Sequence, residues 1–273
     1  MCKKRRNMPR FIVCTLCIVF FAVQAQAYQT FFGEDLNNSS IAPLLSHPHA
    51  SAASSSFLAA LTGVGTESFE GFSLDTPAPL TLNFPGAGSA TLTGGDGLIV
   101  SVAPESTNGF GRYATSGTNY WDVTAGADGN FVVTFLNPVA AFGFYGIDIG
   151  DFGGQLTVEQ AGGTTQNFTV PNTFGSEGYP DGSVLFWGII GQNSSETFTS
   201  AAFNTTTGEG DVFAFDDMTI GSFEQVNPNT PAPIPEPSAL TMIVVSIVCL
   251  GLLCLVSQIA GSYKVFTPGI KER

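Results

Sequence analysis

Between Tyr28 and Ser238 the chain has no cysteine, no lysine and a single basic residue, Arg112. All five cysteines lie outside that stretch, at Cys2, Cys14, Cys17, Cys249 and Cys254. The middle of the chain therefore has no disulfide, no thiol chemistry and no Cys-type zinc site. Without lysine it also lacks the Gly-rich phosphate loop that ends in Lys. Its only histidines, His47 and His49, sit in a Ser- and Ala-rich stretch that reads as a solvated segment. That argues against a nucleophile activated by His. Charged residues are only 11% of the chain, against about 25% in an average soluble protein. No internal repeat is visible, which argues against a propeller or solenoid.

What charge there is has one sign. The chain holds 22 acidic and 9 basic residues, a formal net charge of −13. A polyanion gains nothing from a phosphate backbone, so nucleic acid is excluded as a partner. Residues 28–238 keep all the acids except Glu272, that is 22 less one, against Arg112 alone. Such self-repulsion costs stability, and bound cations would relieve it. A set of hard oxygen donors in an extracellular medium points to calcium, Ca2+.

The rest is apolar and rich in turns, with 32 Gly, 16 Pro and 24 Phe. One helix is predicted, over Ala50–Leu61, ending before Gly63. Beyond it the pattern is short alternating runs: 68–72, 80–84, 90–93, 98–102, 120–124, 130–136, 140–147, 156–160, 166–170, 184–190, 197–203 and 212–220. Breaks such as Gly94-Gly95-Asp96-Gly97 and Asn137-Pro138 separate them. The expected fold is all-β, a jelly-roll-like antiparallel β-sandwich with one short N-terminal helix. The expected layout is a signal peptide over 1–27, an N-terminal segment over 28–62 and the sandwich over 63–224. A Pro-rich linker over 225–238, a transmembrane helix over 239–260 and a basic cytoplasmic tail over 261–273 complete it.

The two ends carry targeting information. Lys3, Lys4, Arg5, Arg6 and Arg10 precede an apolar run from Phe11 to Val23, closed by Ala25-Gln26-Ala27. This is a secretory signal, expected to use the Sec export machinery and to be cut after Ala27. At the other end, Ile234-Pro235-Glu236-Pro237-Ser238 precedes an uncharged apolar run from Ala239, followed by Lys264, Lys271 and Arg273. This arrangement resembles the PEP-CTERM sorting signal of exported bacterial surface proteins. The resemblance covers about forty residues and implies processing by an exosortase, a membrane cysteine peptidase, near Pro235-Glu236-Pro237. It further implies a protein held in the membrane by its C-terminal helix, then released to the cell surface or extracellular matrix. The tail departs from the family in dispersing its basic residues instead of clustering arginines directly after the helix.

Phe69-Glu70-Gly71-Phe72 and Phe215-Asp216-Asp217-Met218 resemble the first and last strands of jelly-roll carbohydrate-binding modules, which lie together and share a structural calcium. The resemblance implies Glu70 and Asp217 as ligands, with Asp216 as the substitute, since strict alternation sends 216 and 217 to opposite faces. A second cation candidate is the Gly-rich turn holding Asp148 and Asp151. For sugar binding, Arg112, Tyr113, Tyr120 and Trp121 are the candidates, as a loop with stacking rings and a guanidinium fork. These readings combine into a non-enzymatic surface protein that binds, or is built into, extracellular polysaccharide. The rival is a carbohydrate-active enzyme, a glycosidase or lyase working through two carboxylates, although no pair stands out. A structural spacer that binds nothing is the third reading.

Overall fold

The computed structural model describes residues 28–124, 130–149, 154–171, 181–205 and 212–227. Ala27, Asp151, Pro235, Glu236, Pro237 and the apolar run after them lie outside the described residues. In chain order the elements are β1 (Gln29–Asp35), α1 (Pro48–Ala59), β2 (Thr66–Glu67), β3 (Leu80–Phe84), β4 (Gly88–Gly94), β5 (Leu98–Ser101) and β6 (Asn119–Thr124). They continue with β7 (Phe131–Val139), β8 (Ala141–Ile147), β9 (Gly154–Gln160), β10 (Thr165–Thr169), β11 (Val184–Ile190), β12 (Phe198–Thr205) and β13 (Val212–Gly221).

These strands form two antiparallel sheets. One is seven-stranded, in the order β1-β11-β8-β13-β6-β5 with β2 also pairing β13; the other is six-stranded, β10-β9-β12-β7-β4-β3. The protein is an all-β, jelly-roll-like sandwich. Alternation explains the packing: Leu80, Leu82 and Phe84 of β3 are buried while Thr81 and Asn83 are exposed. Phenylalanines from both sheets fill the space between them. Phe203 of β12 stacks on Phe131 of β7 at 4.3 Å and meets Phe215 of β13 edge-on at 5.0 Å. Such aromatic pairs add about 0.5–1.5 kcal/mol beyond their buried area.

Not every strand alternates. Val184–Ile190 is buried along its whole length, because α1 covers the outer face of its sheet. Phe57 of α1 packs edge-on to Phe31 and tilted against Phe186, both at 5.5 Å. Gly143 and Gly188, opposed across β8 and β11, make its seat. A β-carbon at either would come within about 3 Å of the Phe57 ring. The helix spans Pro48–Ala59 instead of the predicted Ala50–Leu61, with Pro near its first position, where the missing N–H costs nothing. His47 makes no side-chain cap. Asp35 at the end of β1 supplies one, accepting from the N–H groups of His49 and Ala50.

Two expectations are corrected. Residues 28–62 are not a separate segment, because β1 is an edge strand of the larger sheet. Leu61, just after α1, bridges Val226, just after β13. The run 68–72 is not a strand. Phe69 has φ of 60°, held by the Glu67 carboxylate, which accepts from the N–H groups of Phe69 and Asn83. Among the described residues no helix is long and apolar enough to cross a membrane.

Candidate functional site

Glu70, Asp216 and Asp217 all turn to one loop, residues 115–119. Asp216 is fully buried. Its Oδ2 accepts from the Thr115 and Ser116 N–H groups at 2.8 and 3.1 Å and from Thr115 Oγ1 at 2.9 Å. Its Oδ1 accepts from the Asp217 N–H at 2.8 Å. Asp217 accepts from Ser116 Oγ at 2.8 Å and faces Thr115 Oγ1 at 3.1 Å. Glu70 accepts from the N–H groups of Thr118 and Asn119 at 2.7 and 2.6 Å, and its other oxygen takes the Thr118 hydroxyl.

Strict alternation fails here, which corrects the expectation that Asp216 and Asp217 face opposite ways. The register of β13 on β8 shifts between Asp216 and Thr219, and Asp217 adopts φ of 48°. The extra residue of a bulge re-aims a side chain, so both carboxylates reach Thr115. That hydroxyl has one proton for two acceptors. The second contact is a hydrogen bond only if one of the two acids carries a proton. Burial, then the charge of Asp217, pushes Asp216 well above the usual carboxylate range. Asp217 is raised by burial and by Glu70.

The donor chemistry of these side chains suits calcium, but five of their six oxygens already face a donor from the loop and the sixth, Asp216 Oδ1, takes the Asp217 N–H. Among the described residues no group of three or more His, Cys, Asp or Glu is placed to hold a metal. As arranged, the three acids anchor a loop rather than cage an ion.

Arg112 is the centre of a second buried network, its side chain only 11% exposed. Its Nε meets Asp122 Oδ1 at 2.8 Å and its Nη1 lies 3.6 Å from Asp148 Oδ2. Nη1 also donates to the Val212 carbonyl. Asp148, the described member of the second cation candidate, is thus paired with a guanidinium, and its Oδ1 accepts from the Gly182 N–H. Burial raises Asp122 to about 6 despite Arg112.

The expected sugar-stacking rings are core. Tyr120 and Trp121 are fully buried and Tyr113 nearly so. Tyr113 Oη donates to the Gly182 carbonyl and accepts from the Leu44 N–H. Trp121 meets Phe131 edge-on. Arg112 is spent on Asp122 and Asp148. The inward and outward positions of β6 depend on which neighbours pack above it, and both of its faces are covered where Tyr120 and Trp121 lie.

Phe110, in contrast, is 69% exposed. Its loop is tied down: Asn108 Oδ1 accepts from the N–H groups of Phe110 and Arg112, and Gly111 N–H donates to the Ser40 carbonyl. The signal was present as Asn108-Gly109-Phe110-Gly111, an aromatic between two turn glycines. A cavity of about 230 Å³ opens nearby, lined by His47, Glu105, Tyr113, Thr115 and Ser116 among others. The two histidines part company, His47 lying edge-on to Tyr145 and His49 pairing with Asp35.

No family model matches the chain, and no curated protein matches it. Among solved structures, a cleaved adhesin domain of Lys-gingipain aligns with a TM-score of 0.36 at 16% identity, covering 58% of this chain and 98% of that one. The C-terminal family 22 carbohydrate-binding module of Clostridium thermocellum Xyn10B aligns at 0.31 and 13%, over 61% and 96%. TmCBM61, solved with β-1,4-galactotriose, aligns at 0.27 and 15%, over 48% and 86%. These likenesses are loose, and the fold assignment rests on the strand pairing above.

Proposed function

We propose that the chain is an exported surface module that contacts extracellular polysaccharide without turning it over. Phe110 carries the reading. A large apolar ring left in water on a loop pinned by Asn108 and Ser40 is pre-organised for contact, and a rigid contact loses little entropy on binding. The apolar face of a sugar ring is a suitable partner, because it gives the phenyl ring somewhere dry to lie. The targeting segments put the module where such polymers are: Ala27 is the cleavage point of export, and Pro235-Glu236-Pro237 with the apolar run after it is the exosortase signal.

The test is affinity electrophoresis of the full chain in detergent, through gels containing a panel of polysaccharides. The expected result is retardation by at least one polymer, weakened about tenfold by Phe110→Ala, a loss of about 1.4 kcal/mol, with the melting temperature unchanged. No retardation by any polymer overturns the reading. Release of new reducing ends from a polymer would establish the carbohydrate-active enzyme instead.

A further inference from the structure

The six-stranded sheet carries one charged residue in all its strands, Glu159. The strands of the other sheet hold Glu34, Asp35, Glu67, Asp122, Asp216 and Asp217. Repulsion alone would spread the acids over the surface, and an ordinary solvent-facing sheet intersperses charges of both signs. This one presents mainly hydroxyls and amides, with Leu136 of β7 an exposed apolar side chain among them.

Register aligns them. One row crosses all six strands as Thr165, Glu159, Ser200, Thr134, Thr91 and Thr81. At about 4.8 Å per strand it spans about 24 Å. Thr81, Thr91 and Thr134 are exposed. On the other sheet α1 covers the outer face of β1, β11 and β8; among the described residues no helix packs on this face.

We infer that the outer face of the six-stranded sheet is a contact surface for a neutral, hydroxyl-rich polymer, a polysaccharide without carboxylate or sulfate groups. The inference rests on the polysaccharide reading above and names the class of polymer. Charge selects the occupant. An anionic polymer is repelled by the protein's net charge, and a cationic one is drawn to the exposed loop carboxylates such as Asp75, Asp96 and Glu105. A neutral one loses nothing on a face where only Glu159 must be desolvated. Threonine suits it twice over. Its hydroxyl both donates and accepts, and its β-branched side chain has little rotamer freedom to lose.

The experiment runs the full chain in detergent through gels containing dextran, a neutral β-glucan or alginate. It compares the natural sequence with Thr81→Val/Thr91→Val/Thr134→Val, with Thr134→Glu and with Phe110→Ala. Valine keeps shape and strand propensity, so folding is preserved; melting temperatures check this. The expected result is retardation by a neutral polymer, about tenfold weaker in the triple variant and abolished by Thr134→Glu. Retardation by alginate alone overturns the inference. So does retardation that both face variants keep while Phe110→Ala loses it, a result that leaves the loop reading standing. Self-association that Thr134→Glu removes, without polymer binding, reassigns the face to a second copy of the chain. If no polymer retards the natural protein, the polysaccharide reading itself falls.

Discussion

The two sheets of this sandwich share a core but have opposite exteriors. The seven-stranded sheet is roofed by α1 and by the loops that carry Arg112 and Thr115, and it concentrates the buried acids. Among the described residues no helix covers the six-stranded sheet, and its outward positions are mostly Thr, Ser and Asn. The difference shows that net charge says little about local surface. A chain with a formal charge of −13 has a near-neutral face, because its acids are either used inside, as Asp122 and Asp216 are, or carried on loops, as Asp75, Asp96 and Glu105 are.

The comparison breaks most visibly at Arg112. Arg112→Ala leaves Asp122 and Asp148 buried without their cation. Removing one partner of a buried pair costs about 3–5 kcal/mol, so chemical denaturation should show a loss of that size at pH 7. The loss should shrink at pH 5, where Asp122 takes up a proton. An effect below about 1 kcal/mol at both values would mean that Arg112 contributes no more than a surface ion pair.

Next comes the pH dependence, which should belong to the seven-stranded sheet alone. Burial raises Asp122, Asp216 and Asp217, so the folded chain holds more protons than the unfolded one between about pH 4 and the folded values. Stability therefore falls as pH rises through that window and grows on mild acidification. Asp35 runs the other way. Burial would raise it, but the N–H of Ala50 and the His49 ring hold it lower. Its contribution is present above the ordinary carboxylate value and is lost as pH falls through the lowered one. Calorimetric melting should thus improve from pH 7 towards about 5. Asp216→Asn should flatten that slope, while Thr91→Val on the other sheet should leave it unchanged. A melting temperature that rises from pH 5 to 7 would contradict the assignment.

The smallest effects sharpen the contrast. Asp35→Ala removes the cap that α1 takes from a strand, and should cost about 1–2 kcal/mol. Thr91→Val, on the open face, should stay within about 0.5 kcal/mol. Equal costs for the two, in the same denaturation assay, would erase the distinction between a roofed and a bare sheet.

Much of the architecture was legible. Eleven of the twelve predicted runs match strands in the structure, since a period of two with turn residues between is a local property. Two places were not. Gln29–Asp35 becomes a strand through pairing with β11, a partner about 150 residues away along the chain. The run 68–72 alternates correctly, yet the Glu67 carboxylate turns it by capturing the Phe69 N–H. The candidate site was legible in composition and not in geometry. Glu70, Asp216 and Asp217 do meet at one loop, but a bulge that alternation does not anticipate brings the last two to the same hydroxyl. The aromatic assignment was inverted: Trp121 is inside and Phe110 is out.

The sequence by itself determined what chemistry is absent from the middle of the chain and the alternation that makes a sandwich. These follow from residue type and local spacing. Tertiary structure alone decided which acids are buried against a partner, which ring meets solvent and which strands gather into a nearly uncharged sheet. Those depend on long-range pairing, on φ at a few positions such as Asp217 and on what packs above each strand. None of them has a local period to read.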